Sequence, residues 1–397
     1  MLESRAFTTL SHKTTTRSLD CGTGFTSERA GRYREALDCP ISGKACEVAE
    51  KSVLITGGQG YLGSILTESL VADGNSVIVV DNNTVPGSRV DSPAARYVDG
   101  DVRRTEPWEP LLDEVDAVVH LAALVGDPAC NVDPDEAVRT NYHGTVNVAD
   151  ACRHHHVAKI VFASTCSNYG RAEEGELDVW SPLNPQSTYA QSKILAEHYL
   201  LSLQGAGLTP CILRFATLHG LSPRMRFDLA VNVMTADAVR KGVVNVYGGA
   251  QWRPFLHVRD AARAIRSSLE APGCGENPLL YNCGTSAENY QLEQVARIIA
   301  EEIPECEVVV SETDADPRDY RVNFDPIRDD LSFIGTRRIR DSIREIRDAM
   351  TTGSFEDHTE ARYSNYLLAR DHAPKRVSGP PELVSAAPEL VSGRAGR

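Results

Sequence analysis

The sequence predicts an α/β fold, a doubly wound parallel sheet with a smaller C-terminal lobe, on three observations. Short, continuous apolar runs recur from Lys51 onward, helix-like segments alternate with them, and the first run feeds directly into a glycine-rich turn. After about Thr217 the alternation loosens, and there the lobe is expected to begin.

The runs follow one another along the chain. Ser52 to Thr56 reads as a buried strand, followed by Ser76 to Val80, a short strand near Tyr97, Ala117 to Leu121, Lys159 to Ala163 and Thr209 to Arg214. Runs that are apolar on successive residues suit strands covered on both faces, as in a parallel sheet. Between them, Gly63 to Asp73, Glu136 to His155 and Tyr189 to Gln204 read as helices, with Leu229 to Lys241 and Gln291 to Glu302 as helices of the lobe. The expected organisation is an N-terminal extension over 1–50 without regular structure and a nucleotide-binding sheet domain over 51–216. A lobe over 217–345 follows, some of whose strands return to the sheet, and then a C-terminal helix and tail over 346–397. From about Pro374 the tail repeats Pro-Glu-Leu-Val-Ser, at 381 and 388, and is expected to be disordered. A ligand cleft is expected between sheet and lobe.

Composition narrows the partners. A chain of 397 residues that is 42% hydrophobic can bury a full core, and a net charge of -14 disfavours nucleic acid and anionic membrane surfaces. No apolar run approaches the roughly 20 residues of a membrane span, so a soluble, cytoplasmic protein is expected. The Ser-, Thr- and Arg-rich first 20 residues weakly resemble a transit peptide and are read as disorder. Ten scattered cysteines form no CxxC pair, so no metal site is expected.

Thr56-Gly-Gly-Gln-Gly-Tyr-Leu-Gly63 lies between a strand and a helix, the context in which such glycines bind a dinucleotide. Gly57 permits the tight turn, Gly60 lets the backbone approach a pyrophosphate, and Gly63 allows close packing of helix on strand. Asp81 ends the second strand 18 residues after Gly63, where a carboxylate can bond ribose hydroxyls and repel a 2′-phosphate. This favours NAD, with Asn82 and Asn83 as neutral neighbours, although Arg89 is close in sequence. Asp101 and Val102, after the third strand, are placed to meet the adenine or to form a plain surface turn.

Tyr189 and Lys193 stand four residues apart at the start of a helix and project from one face. A lysine ammonium beside a phenol favours the phenolate, as a general base requires. Phe162 to Gly170 ends a strand at the carboxyl edge of the sheet, where a hydroxyl can reach substrate.

Together with His120-Leu-Ala-Ala123, these motifs resemble the extended short-chain dehydrogenase/reductases that modify nucleotide sugars, the NAD-dependent epimerase/dehydratase family. The resemblance spans roughly 51–345 and implies a Rossmann-type fold, NAD as cofactor and a nucleoside-diphosphate sugar as substrate. It implies that Thr165 is the catalytic hydroxyl, Tyr189 the base and Lys193 the residue holding the nicotinamide ribose. It further implies that Leu121, Ala122 and Ala123 line the cofactor, that Tyr61 and Leu62 meet the pyrophosphate by their backbone, and that Asn141 braces the site. Arg253, in Trp-Arg-Pro-Phe, and Arg318, in Asp-Pro-Arg-Asp-Tyr, would clamp the sugar-nucleotide diphosphate. Asn232 and the run Ser222 to Arg226 would border the nucleotide. A homodimer through the helices at 136–155 and 189–204 is expected by the same analogy.

In that family a 4,6-dehydratase carries Asp-Glu after its catalytic Thr, whereas this chain has Cys166 and Ser167, which favours C4 epimerisation. An NAD(P)H-dependent ketoreductase and a non-catalytic dinucleotide-binding module remain as alternatives. Cys166 is read as packing rather than as an acid or base. Thr217 stands where many relatives have a substrate-binding Asn, and His219 and the segment Val125 to Cys130 are expected where the hexose sits.

Overall fold

The computed structural model describes residues 50–85, 92–271, 279–312 and 316–372. The N-terminal extension, Arg89 and the repeated tail lie outside the described residues. Seven parallel strands form the main sheet: β1 (Ser52–Thr56), β2 (Ser76–Asp81), β3 (Ala95–Asp99), β4 (Ala117–His120), β5 (Lys159–Thr165), β7 (Thr209–Phe215) and β11 (Leu279–Cys283). Their order is β11-β7-β5-β4-β1-β2-β3, so the chain winds outward in both directions from β1. The switch point falls between β1 and β4, and ligands of such sheets bind there, outside the carboxyl ends of the strands. In register, Thr56 stands level with Val80 on one side and His120 on the other.

The apolar runs are explained by the two layers that cover the sheet. In β1, Val53 and Ile55 join the core under the helices Tyr61–Ala72 and Val258–Glu270, while Leu54 joins the opposite core under Gly144–His154 and Thr188–Ser202. Both kinds of position are buried, so no polar alternation survives.

The helix expected over 136–155 is interrupted. It runs as Pro134–Val138, a π-helical turn Arg139–His143 and Gly144–His154. Such a turn inserts an extra residue and re-aims the side chains it carries, often at functional sites. Asn141 is one of them.

The lobe is built on a three-stranded sheet of β8 (Thr217–His219), β10 (Trp252–His257) and β12 (Asn289–Gln291), and on a parallel pair, β9 (Val243–Tyr247) with β13 (Glu307–Ser311). Helices Ala230–Lys241, Leu292–Glu302 and Ile339–Thr351 close its core around Val231, Phe255, Val295 and Ile343. Strand β11 leaves the lobe to extend the main sheet beside β7, and β6 (Arg171–Leu177) pairs with β14 (Asp319–Val322), a pair without a periodic signal in the sequence. The described residues from Glu50 onward form one compact unit. Among the described residues no helix is long and apolar enough to cross a membrane.

One buried ion pair ties the helix that carries Tyr189 and Lys193 to the sheet. The Arg214 guanidinium meets the Glu197 carboxylate at 2.7 Å, and Ser164 and Asn168 also donate to Glu197. Helix Thr188–Ser202 is thereby tied to β5 and β7. Removing one member of a buried pair strands the other charge, a loss of about 3–5 kcal/mol. Glu197→Ala should therefore lower the unfolding free energy by that amount, read as a fall in the denaturant midpoint at unchanged m. A midpoint equal to that of the parent would show that the pair is dispensable.

Candidate active site

The turn after β1 is a cradle shaped by missing side chains. Gly57 has φ +75°, donates to Val80 O at 2.8 Å, and would drive a Cβ to 2.6 Å from Ala122 N. A Cβ on Gly63 would collide with the Gly57 carbonyl and the Gly58 backbone. Helix Tyr61–Ala72 starts after Gly60 with no side-chain cap, so its first N–H groups face outward. Free N–H groups and the positive end of a helix dipole fit a diphosphate. Tyr61 and Leu62 lie in that first turn, as expected, but the Tyr61 side chain does more. Its hydroxyl donates to Gly220 O at 2.6 Å and accepts from Asn232, linking cradle to lobe.

Asp81 accepts from Gln59 N at 2.9 Å and Asn83 N at 3.0 Å, and burial raises its carboxyl above the ordinary range. It is thus held at the rim of the cradle. Asn82 bonds Asp101, whose carboxylate is chiefly engaged by Arg103 and so held below its usual range. Val102 is buried, its carbonyl accepting from Asn147.

His120 joins the cradle to the other half of the site. Thr145 spends its hydroxyl proton on Asn141 O at 2.7 Å, so it accepts from Nε2–H of His120 at 3.0 Å. The Nδ1 atom is then an acceptor for Thr56 Oγ1 at 2.7 Å. Burial lowers this imidazole to about 3, so it is neutral. Leu121, Ala122 and Ala123 continue from it, with Leu121 N bonded to Thr56 O and Ala122 against Gly57. Asn141 clamps Leu124 by both N–H and C=O, at 2.8 and 2.9 Å, and donates to Ser192.

Thr165, Tyr189 and Lys193 converge at the carboxyl end of β5. Thr165 bonds the Tyr189 side chain and accepts from Ser167 N. Helix Thr188–Ser202 begins at Ser187, whose hydroxyl accepts from Ala190 N and donates to Asp127. Lys193 donates to Ala163 O at 2.9 Å over the Phe162 ring, and burial lowers its ammonium to about 8. The expected lowering of the phenol by this lysine is absent from the structure. Burial, then Cys130 and Asp127, push Tyr189 above its ordinary range, and Arg226 and Thr165 only partly oppose them.

On the lobe side, Arg253 and Arg318 are brought together by Asp316. Arg318 is forked onto Asp316, lies 2.9 Å from Asp127 and reaches Ser167 at 3.4 Å. Arg253 donates to Trp252 O and Arg318 O, and its Nη2 lies 3.1 Å from Asp316 without hydrogen-bond geometry. Burial would raise the Asp316 carboxyl, but Arg318 holds it far below the usual range.

Two expected contacts face elsewhere. Asn232 is fully buried, with its amide committed to Gly220 N, Tyr61 and Arg226 O, so it braces the lobe. His219 turns into the lobe and bonds Ser342 at 2.7 Å, because β8 pairs with β10 and directs it inward. Cys166 is buried with its thiol on Arg214 O and pushed above its ordinary range by burial, consistent with packing. Sequence reasoning missed Ser187 and Asn365 as partners of the site, and Asp228 as the partner of Arg226 beside Tyr189. The Pro-Arg-Met-Arg run and the Val125 to Cys130 segment pointed to their neighbours Arg226 and Asp127.

Residues 53–284, more than half of the chain, match the NAD dependent epimerase/dehydratase family, and the chain belongs to that family. It is 29% identical over 325 residues to UDP-glucose 4-epimerase of Azospirillum brasilense, covering 76% of this chain and 92% of that protein. Among solved structures it is similar to TunA, an NAD-dependent NDP-hexosamine 5,6-dehydratase of tunicamycin biosynthesis. That match has a TM-score of 0.70 and 26% identity, over 78% of this chain and all of the other. It is likewise similar to the Thermus thermophilus UDP-glucose 4-epimerase in complex with NAD, with a TM-score of 0.66 and 27% identity over 76% and 99% of the two chains. The cofactor is NAD. The glycine cradle, the uncapped helix and Asp81 fit it. Because the Asp81 charge should exclude a 2′-phosphate, Asp81→Ala should narrow the NAD-over-NADP ratio of Kd values by about tenfold or more. An unchanged ratio in titration calorimetry would assign that selectivity to another residue.

Proposed function

We propose that this enzyme interconverts C4 epimers of a nucleoside-diphosphate sugar through a transient 4-keto-sugar. The observation that carries the reading is the Thr165–Tyr189 hydroxyl pair, followed in sequence by a buried thiol and a serine instead of carboxylates. Loss of water needs an acid and a base beside the sugar, and Cys166 points to a backbone carbonyl. The similarity to a 4-epimerase over 92% of that protein's length supports the same reading.

In this mechanism Thr165 orients the C4 hydroxyl and Tyr189 accepts its proton, then returns it after the keto-sugar has turned over. NAD, held by the glycine cradle and Asp81, would supply reversible hydride chemistry when bound, so no acid or base beyond Tyr189 is required. Arg253 and Arg318 would hold the diphosphate, because a planar guanidinium fork matches phosphate oxygens. Lys193 would hold the nicotinamide ribose, and its move from Ala163 O toward Tyr189 would supply the missing stabilisation of the phenolate. The helices Gly144–His154 and Thr188–Ser202 would form the homodimer contact, where Leu195 stands exposed. Sedimentation at micromolar concentration should then give twice the chain mass, and a monomer would exclude that contact.

Incubation with UDP-glucose or UDP-galactose in D2O, followed by NMR, tests the reaction. The 4-epimer should appear with no deuterium on carbon, because the hydride never leaves the site. A deoxy-keto-sugar, deuterium in the sugar ring, or net consumption of added NAD(P)H would overturn C4 epimerisation. Tyr189→Phe should slow the reaction by about 10²–10⁴-fold while still binding NAD. A variant as active as the parent would remove Tyr189 from the mechanism.

A further inference from the structure

We propose that Arg224 is a diphosphate-binding group of the dinucleotide site, and that Asn365, on a C-terminal segment beyond the family-matched residues, positions it. The inference rests on NAD as cofactor and not on the sugar chemistry proposed above.

Arg224 is 5% exposed, donates from Nη2 to Asn365 Oδ1 at 2.7 Å, and its Nε and Nη1 have no partner. The carboxylates within electrostatic reach are Asp228 and Asp81. Asp228 is already forked onto Arg226, at 2.8 and 3.1 Å, and accepts from Asn365 N at 2.8 Å. Asp81 accepts the two backbone N–H groups of the cradle rim. Arg224 therefore forms no ion pair with either carboxylate, and a buried cation with unbonded N–H groups is costly until an anion meets it. Burial and neighbouring Arg226 lower the Arg224 guanidinium to about 10.

Position identifies the anion. Two residues before Arg224, Ser222 donates to Tyr61 O at 2.7 Å and contacts Ser64 at 3.0 Å, which fastens this segment to the first turn of the helix behind the glycine cradle. A cation held there and within reach of Asp81 suits the diphosphate of the dinucleotide better than that of the sugar nucleotide, whose candidate clamp is Arg253 and Arg318.

Asn365 completes the arrangement. Its Nδ2 donates to Val125 O at 3.0 Å, so one side chain bridges Arg224 and the loop that leads to Asp127. Tyr363 O accepts from Phe227 N at 2.9 Å, and helix Asn365–His372 packs on Asp127–Cys130. The C-terminal segment is thus a strap across both sides of the cleft.

The test uses the full chain, stripped of nucleotide, with NAD and UDP titrated separately and thermal midpoints recorded. Arg224→Met should weaken NAD about tenfold or more, and Asn365→Ala roughly threefold to tenfold. The double variant should be no weaker than Arg224→Met, because Asn365 acts through Arg224. The UDP Kd should stay within about twofold, since charge-assisted bonds from Arg224 go to the other diphosphate. If Asn365→Ala does not fold, Asn365→Ser, too short to reach Arg224, takes its place. An unchanged NAD Kd in Arg224→Met, or a loss confined to UDP, overturns the assignment of Arg224. A lowered midpoint with unchanged NAD affinity in the Asn365 variant reduces the strap to a structural role.

Discussion

A neutral imidazole, that of His120, is the joint on which the cleft depends. It accepts from Thr56 at the end of β1 and donates to Thr145 on the helix behind Asn141. Those bonds join the cofactor turn, the central strand and the Asn141 clamp on Leu124. Protonation would put a second donor where Thr56 needs an acceptor and strand a charge in the core, and burial opposes both. The cradle glycines have the same logic in steric form: the carbonyl of Gly57 and the backbone of Gly58 occupy the space a Gly63 side chain would need.

The electrostatics of the site run against those of the whole. A chain of net charge -14 nevertheless gathers Arg224, Arg226, Arg253 and Arg318 around one cleft. Arg226 and Arg318 are forked onto Asp228 and Asp316, and Arg253 is held by backbone carbonyls beside Asp316, before any ligand arrives. Preorganised cations of this kind favour phosphate groups while the acidic surface discourages polyanions.

The sheet and the cofactor turn were legible in the sequence because their physics is local. Successive apolar residues report a strand buried on both faces, and a strand followed by spaced glycines reports a turn that tolerates no Cβ. Tyr189 and Lys193 could be paired because their spacing carries the relation, whereas Thr165 was placed with them only by the family resemblance. What escaped was set by tertiary contacts. The π turn at Arg139–His143 has no periodic signature, and the inward rotation of His219 follows from pairing between β8 and β10. Asn232 looked like a ligand residue until its amide proved saturated by Gly220, Tyr61 and Arg226. Asn365 lies 137 residues from Asp228 in sequence, and nothing local marks it.

The proposed C4 epimerisation requires a site that keeps NAD and recycles its own hydride. The most direct measurement is to purify the protein without added cofactor, denature it, and quantify the dinucleotide released. The account predicts near-stoichiometric NAD or NADH. A protein that releases none, and that turns over only while consuming added NAD(P)H, would contradict it.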